Sequence, residues 1–271
     1  MITTNIIKIL KAKSKADTDE KGYILSMNPE ENLFKKLDNW NEIEAEIGKG
    51  QGSELKIDKN KRMKFCALHS SSALCVNNFA MLKQSPCEIT FLDYENFTEA
   101  TFEKKLSTGI STPNLDFYLE NDNTIIGIES KFTEYLTSSI EHTKENLSKY
   151  FMREELNFLP RLFESVILNY INCPNKMYLD VAQLIKHSIG LLKNKGDKEA
   201  ILVYIYWTPK DLNSNGEYKK IYEQHKYEIE DFEKRINKFL KFEYLSYTEF
   251  WGKYGTCEDI KLIKEKYEVE I

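Results

Sequence analysis

At 271 residues, with 41% hydrophobic and 13% aromatic residues, the chain is long enough to bury a sizeable core and too apolar to be disordered. Its 38 basic and 43 acidic residues leave a net charge of −5, which excludes a generic basic coat for nucleic acid but not a local cationic groove. No apolar run approaches the ~18 residues of a membrane span, Ile6–Leu10 is too short for a secretory signal, and Cys66, Cys75, Cys87, Cys173 and Cys257 form no CxxC pair, so the expectation is a reduced cytoplasmic protein, off the membrane and without a zinc site.

In chain order, Asn28 and Pro29 supply an N-cap candidate and a first-turn proline, and the helix they start is expected to run to about Ile47, broken by Gly48, Gly50 and Gly52. Ser71 or Ser72 can cap a second helix through about Lys83, stopped before Pro86. Strand signals follow at Glu88–Leu92 and Ala100–Leu106. Residues 140–159 read as a helix up to Pro160, 161–172 as another, and Leu179–Leu192 as a third, with Val181, Leu184, Ile185, Ile189 and Leu192 at helical spacing. Ala200–Trp207 is nearly all apolar, as a buried central strand would be. A charged amphipathic helix over 215–241 and a short strand and helix after Lys241 complete the chain. No internal repeat appears. Tyr150, Tyr204, Tyr206 and Trp207 read as core aromatics.

The most informative stretch lies between residues 113 and 132. Leu115, Phe117 and Leu119 alternate with Asp116, Tyr118 and Glu120, the two-residue period of a strand. Asn121-Asp122-Asn123 supplies turn chemistry, and a return strand runs from Thr124 to about Phe132. On it Glu129 and Lys131 point the same way, about 7 Å apart along the strand. Antiparallel pairing sets Asp116 beside them. Two carboxylates held close must share a proton or bind a cation. Few hard oxygen ligands with room for water suit Mg²⁺ or Mn²⁺, which can polarise a phosphoryl oxygen and generate hydroxide. The lysine can orient or deprotonate the attacking water, or stabilise transition-state charge.

This pattern resembles the PD-(D/E)xK nuclease superfamily, in which an Asp precedes an acidic-x-Lys triplet on a second strand. Pro113 stands three residues before Asp116 rather than next to it. Gly52-Ser-Glu-Leu55, Lys64–Phe79, Pro113-Asn-Leu-Asp116, Gly127–Glu134 and Tyr178–His187 are further similar, in order, to a bacterial group of restriction-endonuclease-like proteins. The resemblance implies an α/β fold, a restriction-endonuclease-like core with a central mixed β-sheet flanked by helices. The core would span 51–210, between N- and C-terminal helical elaborations at 1–50 and 211–271 of one nuclease domain. It assigns Asp116 and Glu129 as metal ligands, joined by Glu54 and the Ser130 carbonyl, Lys131 as the catalytic lysine, and Gln183 as a polar residue near the site. Such enzymes cut phosphodiesters to leave 5′-phosphates, and many dimerise to cut both strands, so a homodimer is an allowed assembly.

Other candidates carry less. Lys56, Lys59, Lys61, Arg62 and Lys64 follow Glu54 closely, either as a phosphate-contacting loop or as a solvated charged turn. His69-Ser70-Ser71-Ser72 lacks a nucleophile elbow and reads as a helix cap. Asn77 can face the cleft or satisfy core backbone. His187, one turn beyond Gln183, can share its face, and Glu134 can lie behind the triad. No P-loop is present. The function expected is therefore a Mg²⁺-dependent DNA endonuclease in restriction or phage defence, with RNA as an alternative substrate. The competing expectation is a catalytically idle module of the same fold, binding nucleic acid or protein.

Overall fold

The apolar run that begins at Ala200 becomes an inner strand of a five-stranded sheet in the computed structural model, which describes residues 2–50, 53–137, 144–173, 176–213, 215–254 and 258–271. The strands are β1 (Glu99–Lys105), β2 (Asn114–Glu120), β3 (Thr124–Lys131), β4 (Glu199–Tyr206) and β5 (Lys241–Ser246), side by side in chain order. β1, β2 and β3 form an antiparallel meander, with Phe117 opposite Ile128. β3, β4 and β5 are parallel, with Glu129 beside Tyr204 and Tyr204 beside Tyr244. The sheet is therefore mixed. Every residue from Thr124 to Ser130 is buried, because helices cover both faces and neither face of β3 meets water.

The helices are α1 (Ile2–Lys13), α2 (Trp40–Lys49), α3 (Ser71–Gln84), α4 (Glu134–Thr137), α5 (Lys144–Leu147), α6 (Arg161–Ile171), α7 (Val181–Asn194), α8 (Gly216–Ile236), α9 (Tyr247–Tyr254) and α10 (Glu258–Tyr267). α3 and α9 cover one face, where Phe79 stacks on Phe117 and the Tyr247 hydroxyl meets Ser130 Oγ. α7 and α8 cover the other: a side chain at Gly127 would strike Leu191, and His225 bonds the Tyr204 hydroxyl. The α/β architecture is that of a restriction-endonuclease-like core, a mixed sheet flanked by helices. One apolar cluster runs from Ile2 to Val269, so the segments before 51 and after 210 share the central core. The segment after 210 is not only helical, since it contributes β5, and two helices follow that strand where one was expected. Among the described residues, no helix is long and apolar enough to cross a membrane.

Local chemistry accounts for the boundaries. Asn121 Oδ1 accepts from the Asn123 and Thr124 amides and closes the β2–β3 turn. Asp180 caps α7 through the Gln183 amide, and Asn215 caps α8 through the Glu217 and Tyr218 amides.

Four further expectations are corrected. Asn28 and Pro29 start only a 3₁₀ turn that ends at Asn32, and α2 begins at Trp40. The break is tertiary: Asn77 Oδ1 takes the Phe34 amide at 2.8 Å, and buried Asn32 donates to the Phe65 and Ala67 carbonyls. α3 is capped by Ser70, one residue earlier than read, through the Ala73 amide. Residues 88–92 make no strand, because Leu92 and Asp93 take positive φ in a tight turn closed by Phe91 and Tyr94. The continuous helix over 140–159 is replaced by α5 and two 3₁₀ turns, with Met152 at φ 52° between them. Gly52, Cys257 and residues 140–143 of that helix lie outside the described residues.

Candidate functional site

The β2–β3 hairpin sets Asp116 and Glu129 on the same face, and the two-residue period of β3 brings Lys131 there as well. Asp116 Oδ2 accepts the Ser130 amide at 2.7 Å. The Lys131 ammonium donates to Glu129 Oε1 at 2.5 Å and to Gln183 Oε1 of α7 at 3.0 Å. Four of the residues singled out from sequence thus converge. Ser130 alternates away: its hydroxyl is buried against Tyr247, so only its backbone can serve the site.

These groups line a cavity of about 580 Å³, together with Glu54, Glu103, Glu134, Lys149, Lys186 and the first residues of α3. Glu54 therefore shares the cavity, 3.8 Å from the exposed Lys64 ammonium. Burial raises the Glu54 carboxyl, Lys64 opposing and Glu134 adding to it. Of the other basic residues near it, Lys56, Lys59 and Lys61 stay exposed, while Arg62 is held by Asp19 at 2.6 Å. Asn77 turns out to satisfy core backbone, through the Asn32 carbonyl. Glu134 Oε2 accepts the Phe132 amide at the start of α4.

Electrostatics divide the two carboxylates. Burial, reinforced by the charge of Glu129, pushes Asp116 well above the ordinary carboxylate range. Burial also acts to raise Glu129, but Lys131 and His187 outweigh it and hold that carboxyl below its ordinary value. Lys131 stays an ammonium: burial lowers it, and Glu129, Glu134 and Asp116 together raise it well above its ordinary value. The pair thus carries about one negative charge between two carboxylates until a cation arrives.

Two members of the site were not assigned from sequence. His187 Nε2 lies 2.9 Å from Glu129 Oε2, an ion-pair distance without hydrogen-bond alignment, so Oε2 remains without a hydrogen-bond partner at 1% exposure. The spacing of Gln183 and His187 on one helical face was the available signal. Glu103, on β1 across from Asp116, carried no signal in the sequence.

Among the described residues, no three His, Cys, Asp or Glu side chains enclose a cation by themselves. Two carboxylates beside an open cavity, with one buried oxygen free, instead match the donor chemistry of a hydrated Mg²⁺ or Mn²⁺, which takes one or two carboxylates and keeps several waters. They do not match a closed structural zinc site.

A family model described as "Restriction Endonuclease associating with ARP" (REase-ARP) matches residues 7–267. No curated protein and no solved structure matches the chain. That match takes in both the hairpin and the β5 edge of the sheet, and with nearly the whole chain covered, the protein belongs to the REase-ARP family, a restriction-endonuclease-like nuclease family.

Proposed function

We propose that the chain is a divalent-metal-dependent DNA endonuclease of the PD-(D/E)xK type, with Asp116, Glu129 and Lys131 as its reactive core. The observation that carries this reading is the convergence of the three on one cavity, with the Lys131 ammonium fixed by Glu129 and Gln183. Asp116 and Glu129, with the Ser130 backbone and Glu54 nearby, would hold the cation. A bound Mg²⁺ or Mn²⁺ supplies charge neutralisation and a water acidified towards neutral pH.

The protein's own residues divide the remaining work. Lys131, an ammonium beside Glu129 and Asp116, donates to the non-bridging oxygens as charge builds at phosphorus. Gln183 holds that ammonium in place, and His187 stands 2.9 Å from the other carboxylate oxygen of Glu129. Hydrolysis in this arrangement leaves a 5′-phosphate and a 3′-hydroxyl. DNA is the substrate proposed first, and RNA shares the same chemistry. Restriction or phage defence is the matching role, and the family's description adds ARP as an associate.

Supercoiled plasmid with Mg²⁺, Mn²⁺ or EDTA tests the reading. Nicking or linearisation should require metal and should fall by at least ~10²-fold in Lys131→Ala and Asp116→Ala, the scale of removing a preorganised group that stabilises the transition state. Folded wild type that leaves both DNA and RNA intact would favour the idle module instead.

A further inference from the structure

The cavity has a second wall that the reaction core does not use. Lys149, in the 3₁₀ turn 148–150, and Lys186, on α7 three residues beyond Gln183, both line it. Neither makes an ion pair with a carboxylate among the described residues. Lys149 is exposed and Lys186 half-buried, whereas Lys131 is bound to Glu129, and Lys83 to Glu42 and Glu46.

The Lys149 ammonium stands 5.2 Å from the Tyr150 ring centre. The hydroxyl of Tyr150 is in turn fixed at 2.6 Å from Ser111 Oγ, which also lines the cavity. Lys186 is half withdrawn from water, and that burial lowers its pKa against the pull of Glu129 and Asp180. Lys149 lowers it further, so the two ammonium groups act on each other across the same space. Like charges that face one space repel each other, and a bound anion relieves that repulsion.

The identity of that anion follows from the other residues that line the cavity. Glu54, Glu103, Asp116 and Glu129 would repel a phosphate that approached them without cations. A strand bound there needs positive charge in the same cavity. We propose that Lys149 and Lys186 form a phosphate clamp that holds a phosphodiester strand against the carboxylate wall, each lysine contacting one phosphate. This inference rests on the nuclease reading and extends it to substrate-binding residues outside the reactive triad.

Fluorescence anisotropy tests it, using a short fluorescein-labelled DNA duplex, its single strand and the RNA of the same sequence, with Ca²⁺ in place of Mg²⁺ so that the carboxylate wall is neutralised while cleavage is suppressed. For duplex DNA, the slope of log affinity against log salt should flatten by about 1.8 in Lys149→Gln/Lys186→Gln, about 0.9 for each phosphate no longer neutralised. Lys149→Arg/Lys186→Arg should restore the slope, which a merely structural role for the lysines would not require. Mn²⁺ binding, followed by electron paramagnetic resonance, should be the same in all three proteins. An unchanged slope in the glutamine variant, with wild type binding normally, would overturn the clamp and leave the nuclease reading standing. Wild type that binds none of the three probes would overturn both. A slope that flattens only with the DNA or only with the RNA probe would support the clamp and identify which strand it holds.

Discussion

Glu103 takes a left-handed backbone conformation, φ 53°, in the middle of an edge strand, a costly choice for a residue with a side chain. Glu46 makes it possible by accepting the Phe102 amide at 2.9 Å from outside the sheet. The register around it, Phe102 with Phe117 and Lys104 with Leu115, sets Glu103 across from Asp116. Burial pushes its carboxyl up to about 7, Asn114 opposing and Glu54 and Glu129 adding to it. The sign of the linkage follows. Between the ordinary value of 4.5 and about 7, the folded state keeps a proton that the unfolded state has lost, so stability falls as pH rises through that window. Glu103→Gln should therefore stabilise the metal-free protein at pH 8 by about 1–2 kcal/mol, allowing for partial solvent screening, with the gain shrinking towards pH 4.5. Thermal unfolding across that range measures it; a gain independent of pH would refute the assignment. Asp116, Glu129 and Lys131 were legible in sequence because one tight turn fixes their register. Glu103, Lys149 and Lys186 reach the cavity through sheet-edge and helix packing, and His187 meets Glu129 from α7, where its helical spacing from Gln183 was the one signal.

Gly127 marks where three elements meet. A β-carbon there would come within 2.7 Å of Leu115 on β2 and 3.1 Å of Leu191 on α7. Both neighbours are buried core residues with little room to retreat. Gly127→Ala should cost about 1–3 kcal/mol by overpacking, measured by chemical denaturation, and should also weaken catalysis by shifting Glu129 two residues on. A neutral substitution would mean that α7 is more loosely docked than these distances require. α6, α7 and α8 were legible from helical periodicity, and β4 from its unbroken apolar run. The misread elements share one cause, competition from tertiary hydrogen bonds or turns. Asn77 draws the Phe34 amide out of a helix, and positive φ at Leu92, Asp93 and Met152 ends patterns that local propensity would continue.

At the scale of the molecule, the C-terminal segment completes the sheet. β5 pairs with β4 from Ile201–Lys241 to Tyr206–Ser246, and Tyr267 of α10 packs edge-on against Phe132 directly after Lys131. Trp207 Nε1 donates to the Tyr267 carbonyl, and the Lys266 ammonium donates to the Asn32 carbonyl, tying α10 to the N-terminal segment. Removing residues 241–271 would leave β4 with an exposed apolar edge and uncover Phe132. The truncated chain should aggregate or fail to unfold cooperatively, which light scattering and calorimetry would register. A monomeric, cooperative truncation would show that the family core can close without β5.

The buried pair of carboxylates makes the sharpest demand. Mn²⁺ titrated into the intact protein by calorimetry, in buffers of different ionisation enthalpy, should give a heat that disappears in Asp116→Asn and persists in Lys149→Gln/Lys186→Gln. Because burial and Glu129 hold Asp116 well above the ordinary carboxylate range, binding should release a proton, and affinity should rise with pH. No Mn²⁺ heat in wild type, or the same heat in Asp116→Asn, would contradict a cation site built on Asp116 and Glu129.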